Sequence, residues 1–387
     1  MNNFVFHNPV EVYFGQGEIK HLARLVKQYG KKVLLVYGKS AIKRMGLYDE
    51  VLSILSSNDI AVVELGGIDP NPRIESIREG GQLCKDHQID LVLAVGGGSV
   101  IDAAKGIASA ALYDGDPWDF YSYKTSSDGA LPIGAILTLA ATGSEMNRGS
   151  VVTNFTTREK HGWGSPYTYP KFSILDPTYT FTVNKHQTGC GIVDTLTHVY
   201  ELYFSTDKNH LNDRLCEAIM KTVVHYGPLA IANPSDYEAR SNLMFSSTLA
   251  LNGLTGFGKT WDGFNHTTEH VISAFYDIAH ADGLAVLGPH WMRYVLKEDN
   301  VQKFKEFALN VWNVDNTGSD LDIAQRGIDA VFMFYQSIEM PTTLQEVDID
   351  DRELETIASQ ATRHGNIGNF VSLSEQDVLT ILRNALN

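Results

Sequence analysis

Four short apolar runs constrain this chain most: KKVLLVYG (31–38), IAVVELGG (60–67), IDLVLAVGGG (89–98) and LPIGAILTL (131–139). Each is apolar on successive residues rather than on alternate ones, and most end in glycine. A strand that is apolar on both faces must be covered on both faces, which is the condition of a parallel sheet in an α/β fold. Between the first three runs lie SAIKRMGLYDEVLSILSS (40–57) and PRIESIREGGQLCKDHQ (72–88), with apolar residues at helical spacing. Strand–helix–strand repetition therefore predicts an α/β domain over residues 1–182. Beyond it, segments 211–233 and 237–257 carry apolar residues at i, i+3, i+4 and i+7, and convincing β runs disappear. The expectation for residues 183–387 is an all-α domain.

The 387 residues carry a formal net charge of −15, which argues against a nucleic-acid or anionic-membrane partner because both demand a basic surface. Cys84, Cys190 and Cys216 are odd in number and form no CxxC, as expected of a reduced, cytoplasmic protein. The opening MNNFVFHNPVEVYFG lacks the basic and apolar regions of a secretion signal. The uncharged run GALPIGAILTLAATGS is too short to span a bilayer and contains Pro132.

In LVLAVGGGSVIDAAKG, Gly96, Gly97, Gly98 and Ser99 follow a strand and open a helix. Missing side chains and free helix N–H groups suit a phosphate, although a tight turn alone also selects glycine. A second strand end, TLAATGSEMN, offers Thr138, Thr142, Gly143 and Ser144 for a ribose or phosphate. The end of the first long strand has no acid to accept a ribose 2′-hydroxyl. Instead Lys39, Lys43 and Arg44 stand close together, suited to a 2′-phosphate or simply to a solvated helix start.

GIVDTLTHVYELY places Asp194 and His198 four residues apart, on one face of a largely apolar helix. NHTTEHVISAFYDIAHADG adds His266 and His270 on one helical face. His280 lies ten residues further, and must come from the next element after a break around Tyr276–Ile278. A lone Asp–His pair is ordinarily a structural hydrogen bond. One carboxylate with up to four imidazoles from three elements instead suits a divalent metal, Zn²⁺ or Fe²⁺. His266–His270 also matches H-x-x-E-H, an inverted zinc-peptidase signature with Glu269 as base, but that reading leaves the glycine strand ends without a role.

YFGQGEI (13–19), DPNP (69–72), GGGSVIDAAK (96–105), ATGSE (141–145), LDPTYT (175–180), DTLTHVYE (194–201) and the histidine block to HADGLA (280–285) run along nearly the whole chain. On these motifs the sequence resembles the iron-containing (group III) alcohol dehydrogenases, nearest to the branch of NADPH-dependent butanol dehydrogenases and broad-range aldehyde reductases. The resemblance implies a Rossmann-like nucleotide domain and an all-helical metal domain. It implies metal ligands at Asp194, His198, His266 and His280, with His270 lining the site as a catalytic residue rather than a ligand. It implies dinucleotide contacts at Gly38, Lys39, Ser40, Asn71, Gly97, Gly98, Ser99, Thr138, Thr142, Asn147, Lys160 and Tyr179. Lys39 departs from the small residue of some relatives. The implied enzyme is an NAD(P)-dependent alcohol dehydrogenase or aldehyde reductase, preferring NADP(H), acting on alcohols such as butanol and forming a homodimer. Dehydroquinate-synthase-like or glycerol-dehydrogenase-like chemistry is the alternative on the same architecture. The first would need a basic pocket that the metal segments do not offer. A non-catalytic binding protein would not need a dinucleotide site and four ligands together.

Overall fold

A computed structural model describes residues 1–387. Six parallel strands form one sheet: β1 (Glu11–Phe14), β2 (Lys32–Tyr37), β3 (Ala61–Leu65), β4 (Leu91–Gly96), β5 (Ile133–Leu137) and β8 (Phe172–Leu175), in the order β1-β8-β5-β4-β2-β3. The antiparallel hairpin of β6 (Gly149–Asn154) and β7 (Glu159–Gly164) stands apart from it. The expected double burial is met residue by residue. Leu34, Val36, Val92 and Ala94 pack on one face with Ile74 and Ile77 of α2 (Ile74–His87) and Ile101 and Ile107 of α3 (Gly98–Ala110). Val33, Leu35, Leu93 and Val95 pack on the other with Leu47, Val51 and Leu55 of α1 (Leu47–Ser56).

Within the α/β part, the elements depart from the sequence reading in three places. Segment 40–57 is not one helix: Gly46 at φ 79° separates a short turn, Ala41–Arg44, from α1. Strands β1 and β8 complete the sheet, yet neither carries a long apolar run. β1 is a half-exposed edge and β8 is four residues long. The β6–β7 hairpin is glycine-rich and charged, so its pairing comes from register rather than pattern.

The second compact unit comprises Met1–Phe6, Asn184–Asn233 and Gly253–Asn387. Its helices include α4 (Lys185–Tyr203) and α5 (His210–Ala232). The next helix, α6 (Tyr237–Ala250), lies instead in the α/β unit, where Thr248 Oγ1 donates to Glu145. The chain then returns to the helical unit for α7 (Phe264–Tyr276) and α8 (His280–Val295), parted at Asp277, which is left-handed at φ 52°. No helix is long and apolar enough to cross a membrane.

Within the α/β unit, α3 ties the loop after β5. Asp102 accepts from Ser144 Oγ and, at 2.9 Å, from Val151 N. Fully buried Lys105 donates to Ser144 Oγ (2.7 Å), Gly149 O (2.6 Å) and Asn147 Oδ1 (3.1 Å). Burial brings the Lys105 ammonium down to about 8, against the pull of Asp102 and Glu145. Removing Asp102 strands a buried donor set beside a buried cation. We expect Asp102→Ala to lose about 2–4 kcal/mol in a urea titration. A midpoint equal to that of the natural protein would show that the network does not carry this loop.

Candidate metal centre and nucleotide edge

All six sheet strands run the same way, so their carboxyl ends share one edge. β2 is followed by β3 on one side and β4 lies on its other side, which puts a topological switch point between β2 and β4. Gly38, at the end of β2, abuts that point: a Cβ there would lie 3.8 Å from Val100 of α3. The glycines after β4 divide the work. A Cβ on Gly98 would come within 2.4 Å of the Thr142 side chain, so Gly98 is needed for close packing of two strand ends. Gly97 and Ser99 are only partly buried and lie at the N-terminus of the 13-residue α3, whose first N–H groups have no partner within the helix.

Thr138 and Thr142 lie on the same edge after β5 and are partly buried. Gly143, at φ 60°, is pressed by α6, and a Cβ would lie 2.8 Å from Ser247 O. Asn147 is engaged by its own loop: Nδ2 donates to Gly143 O (2.9 Å), and Oδ1 accepts from Gly149 N (2.8 Å) and Lys105. Asn71 is buried at φ 51°. The following Pro72 O accepts from Thr153 N (2.8 Å), and Thr153 pairs with buried Lys160 across the hairpin. Tyr179 packs against the core on the α1 face, and burial raises its phenol.

The basic cluster expected at the end of β2 is differently occupied. Lys39 Nζ sits 2.7 Å from Asp69 Oδ1, Lys43 lies 5.0 and 4.5 Å from the ring centres of Tyr37 and Tyr48, and Arg44 donates to Ser40 Oγ. Asp69 lies thirty residues from Lys39, and no local pattern shows that the loop after β3 brings an acid beside it.

In the helical unit, three imidazole nitrogens face one carboxylate oxygen. From Asp194 Oδ1, His198 Nδ1 is 3.5 Å away, His266 Nε2 3.9 Å and His280 Nε2 4.0 Å. The residues come from α4, α7 and α8. Two donors about 2.1 Å from a shared tetrahedral ion lie about 3.4 Å apart, so the set is slightly wider than a closed site. Asp194 Oδ1, His198 Nδ1 and His266 Nε2 are buried and have no hydrogen-bond partner. Leaving one such atom unmade costs about 1–3 kcal/mol. A cation at their common point satisfies all three, so the residues present fit a metal.

Burial would lift the Asp194 carboxyl, but the three imidazoles hold it well below the usual carboxylate range. Burial brings His198 down to about 4 against the pull of Asp194. For His266 burial acts downward too, but Glu201 and Asp194 together lift it to about 10.

Two further acids orient this set; the sequence marked Glu269 only as a peptidase base and did not mark Glu201. Fully buried Glu201 accepts from His266 Nδ1 at 2.6 Å and from Asn265 N at 2.7 Å. Fully buried Glu269 bonds His280 Nδ1 and Ser273 Oγ. Each fixes an imidazole by one nitrogen and leaves Nε2 for the metal position. This removes Glu269 from the peptidase-base role that H-x-x-E-H suggested. Glu201 lies seven residues after Asp194, two turns along α4, a spacing from which it could have been found. His270 is outside the Asp194-centred set, with its ring 6.4 Å from His266 and 5.5 Å from His280.

Comparison with known proteins covers nearly the whole chain. The family described as iron-containing alcohol dehydrogenase matches residues 9–177, and the C-terminal family of Fe-containing alcohol dehydrogenases matches residues 188–386. A Bacillus subtilis protein named "Probable NADH-dependent butanol dehydrogenase 1" is 48% identical, covering 100% of both chains. The NADPH-dependent aldehyde reductase YqhD of Escherichia coli is 36% identical over 94% of each. The crystal structure of NADH-dependent butanol dehydrogenase A from Thermotoga maritima superposes with a TM-score of 0.96 at 37% identity, covering 100% of this chain and 99% of that one.

The Glu201–His266 bond gives a direct test. Glu201→Gln keeps the shape but loses the charge that steadies the imidazole. It should weaken metal binding about 10–100-fold, read by competition with a chelating dye. An affinity equal to that of the natural protein would remove Glu201 from the site.

Proposed function

The chain belongs to the iron-containing alcohol dehydrogenase family, and from that premise we propose that it transfers hydride reversibly between a nicotinamide dinucleotide and small primary alcohols or aldehydes, butanol and butanal among them. It is an oxidoreductase acting on alcohols or aldehydes. The observation that carries the finer reading is the group of orphaned donors around Asp194 Oδ1. We assign Asp194, His198, His266 and His280 as the ligands of one divalent cation, Fe²⁺ or Zn²⁺.

A cation held by Asp194, His198, His266 and His280 would supply Lewis-acid polarisation of a carbonyl oxygen, and a bound nicotinamide dinucleotide would supply the hydride. Glu201 and Glu269 hold two imidazoles in the tautomer that ligation needs, with Nε2 bare. His270 is partly exposed beside His266 and His280, and is placed to pass a proton to the product oxygen. The start of α3, with Gly97 and Ser99, receives the dinucleotide phosphates, and the Thr138 and Thr142 hydroxyls reach a ribose or phosphate. In this assignment Gly98 and Asn147 shape the loops rather than touch the ligand.

The sequence alone favours NADPH. Two observations favour NADH instead. The Asp69 carboxylate sits on Lys39 at the strand end where a ribose 2′-hydroxyl is read, and it would repel a 2′-phosphate. Relatives at 48% and 37% identity carry NADH in their names, although the 36% relative carries NADPH. We therefore propose NADH as the preferred cofactor.

Oxidation of NADH by butanal, followed at 340 nm, tests the activity. His266→Ala should lose metal and turnover together, whereas His270→Ala should keep its metal and lose rate. Metal loss from His270→Ala would make His270 a ligand. For the cofactor, kcat/KM should favour NADH, and Asp69→Ala should shift the ratio about tenfold toward NADPH, mostly through KM. A natural protein that prefers NADPH would refute this reading of the Lys39–Asp69 pair.

A further inference from the structure

Helix α4 carries donors at four-residue intervals along one face: His186, Cys190, Asp194 and His198. The lower pair belongs to the centre described above. The upper pair does not, and α8 serves both. Its first residue, His280, faces Asp194, while Asp282 meets His186 and Cys190. His186 Nε2 lies 2.8 Å from Asp282 Oδ1, and Cys190 Sγ lies 3.8 Å from His186 Nε2 and 4.0 Å from Asp282 Oδ1.

From these distances we propose that His186, Cys190 and Asp282 form a second divalent-cation site, of the Zn²⁺ class. The His186–Asp282 contact alone would be an ordinary ion pair. What sets it apart is a thiol within reach of both partners. The sulfur distances are long for hydrogen bonds, yet close to the S-to-N and S-to-O separation of about 3.6 Å around a tetrahedral zinc ion. One nitrogen, one sulfur and one oxygen make a borderline-soft donor set that favours Zn²⁺ over Mg²⁺ or Ca²⁺. His186 is half-exposed, with 52% of its side chain accessible, so water can take the fourth position and an ion can enter from solvent. Cys84 and Cys216 are buried, whereas Cys190 is not fully so. An ion held here cross-links α4 to the first turn of α8, the turn that presents His280. This outer cation thus acts as a positioning group for a ligand of the inner one.

Cobalt(II) separates the two sites, because only the outer one contains sulfur. Titration of the metal-free full chain with Co²⁺ should show two equivalents bound, one of them with a thiolate-to-cobalt charge-transfer band in the near ultraviolet. Zn²⁺ should bleach that band. Cys190→Ser should lose the band and one equivalent while retaining the other. His186→Ala, a change at an exposed position that does not threaten folding, should weaken the outer equivalent at least tenfold. Binding of a single equivalent without a charge-transfer band would overturn the proposal, as would a band that persists in Cys190→Ser. Both readouts are of metal binding, so they are scored separately from the butanal assay that tests the proposed activity.

Discussion

The Asp194 carboxylate is buried at 3% exposure and ionised, and the helical unit is arranged around what that demands. A carboxylate out of water needs charge or donors facing it. Three imidazoles supply them, and two of these are steered by carboxylates that are themselves fully buried. The result is a shell in which Glu201 and Glu269 carry charge outward from the centre. Three negative groups around three imidazoles leave a net demand for positive charge at the middle. A divalent cation at the point shared by Asp194 Oδ1, His198 Nδ1 and His266 Nε2 would meet that demand.

The nucleotide edge is built on a different constraint, close approach of backbone. Gly98 exists because Thr142 occupies the space of its missing side chain, and Gly143 because α6 does. The loop between β5 and β6 is then fastened to α3 by Asp102 and Lys105. The motif GGGSVIDAAK therefore combines two functions along one helix. Near its start Gly97 and Ser99 are partly exposed, and its later residues hold the neighbouring strand end in place.

The two cations proposed here share their scaffold. α4 carries two donors of each set and α8 carries one of each, so the relation of these two helices decides both geometries. A change that moved the first turn of α8 would disturb His280 and Asp282 together.

Much of this was legible in the sequence. Runs that are apolar on both faces can be satisfied only by a covered parallel sheet, and the four-residue spacing of Asp194 and His198 fixes them to one helix face. The break after Tyr276 was readable too, since it sets His280 off the face shared by His266 and His270. Tertiary structure alone decided the rest. Periodicity could not show that β1 and β8, short and poorly marked, complete the sheet, or that α6 belongs to the α/β unit. It could not choose between His270 and His280 as the partner of Asp194; the left-handed turn at Asp277 and the grip of Glu269 bring His280 there. Nor could it bring Asp69 to Lys39, thirty residues away. The physical reason is common to these cases. A local pattern records which face of an element is buried, whereas the meeting of residues far apart in the chain depends on register and packing that no single segment contains.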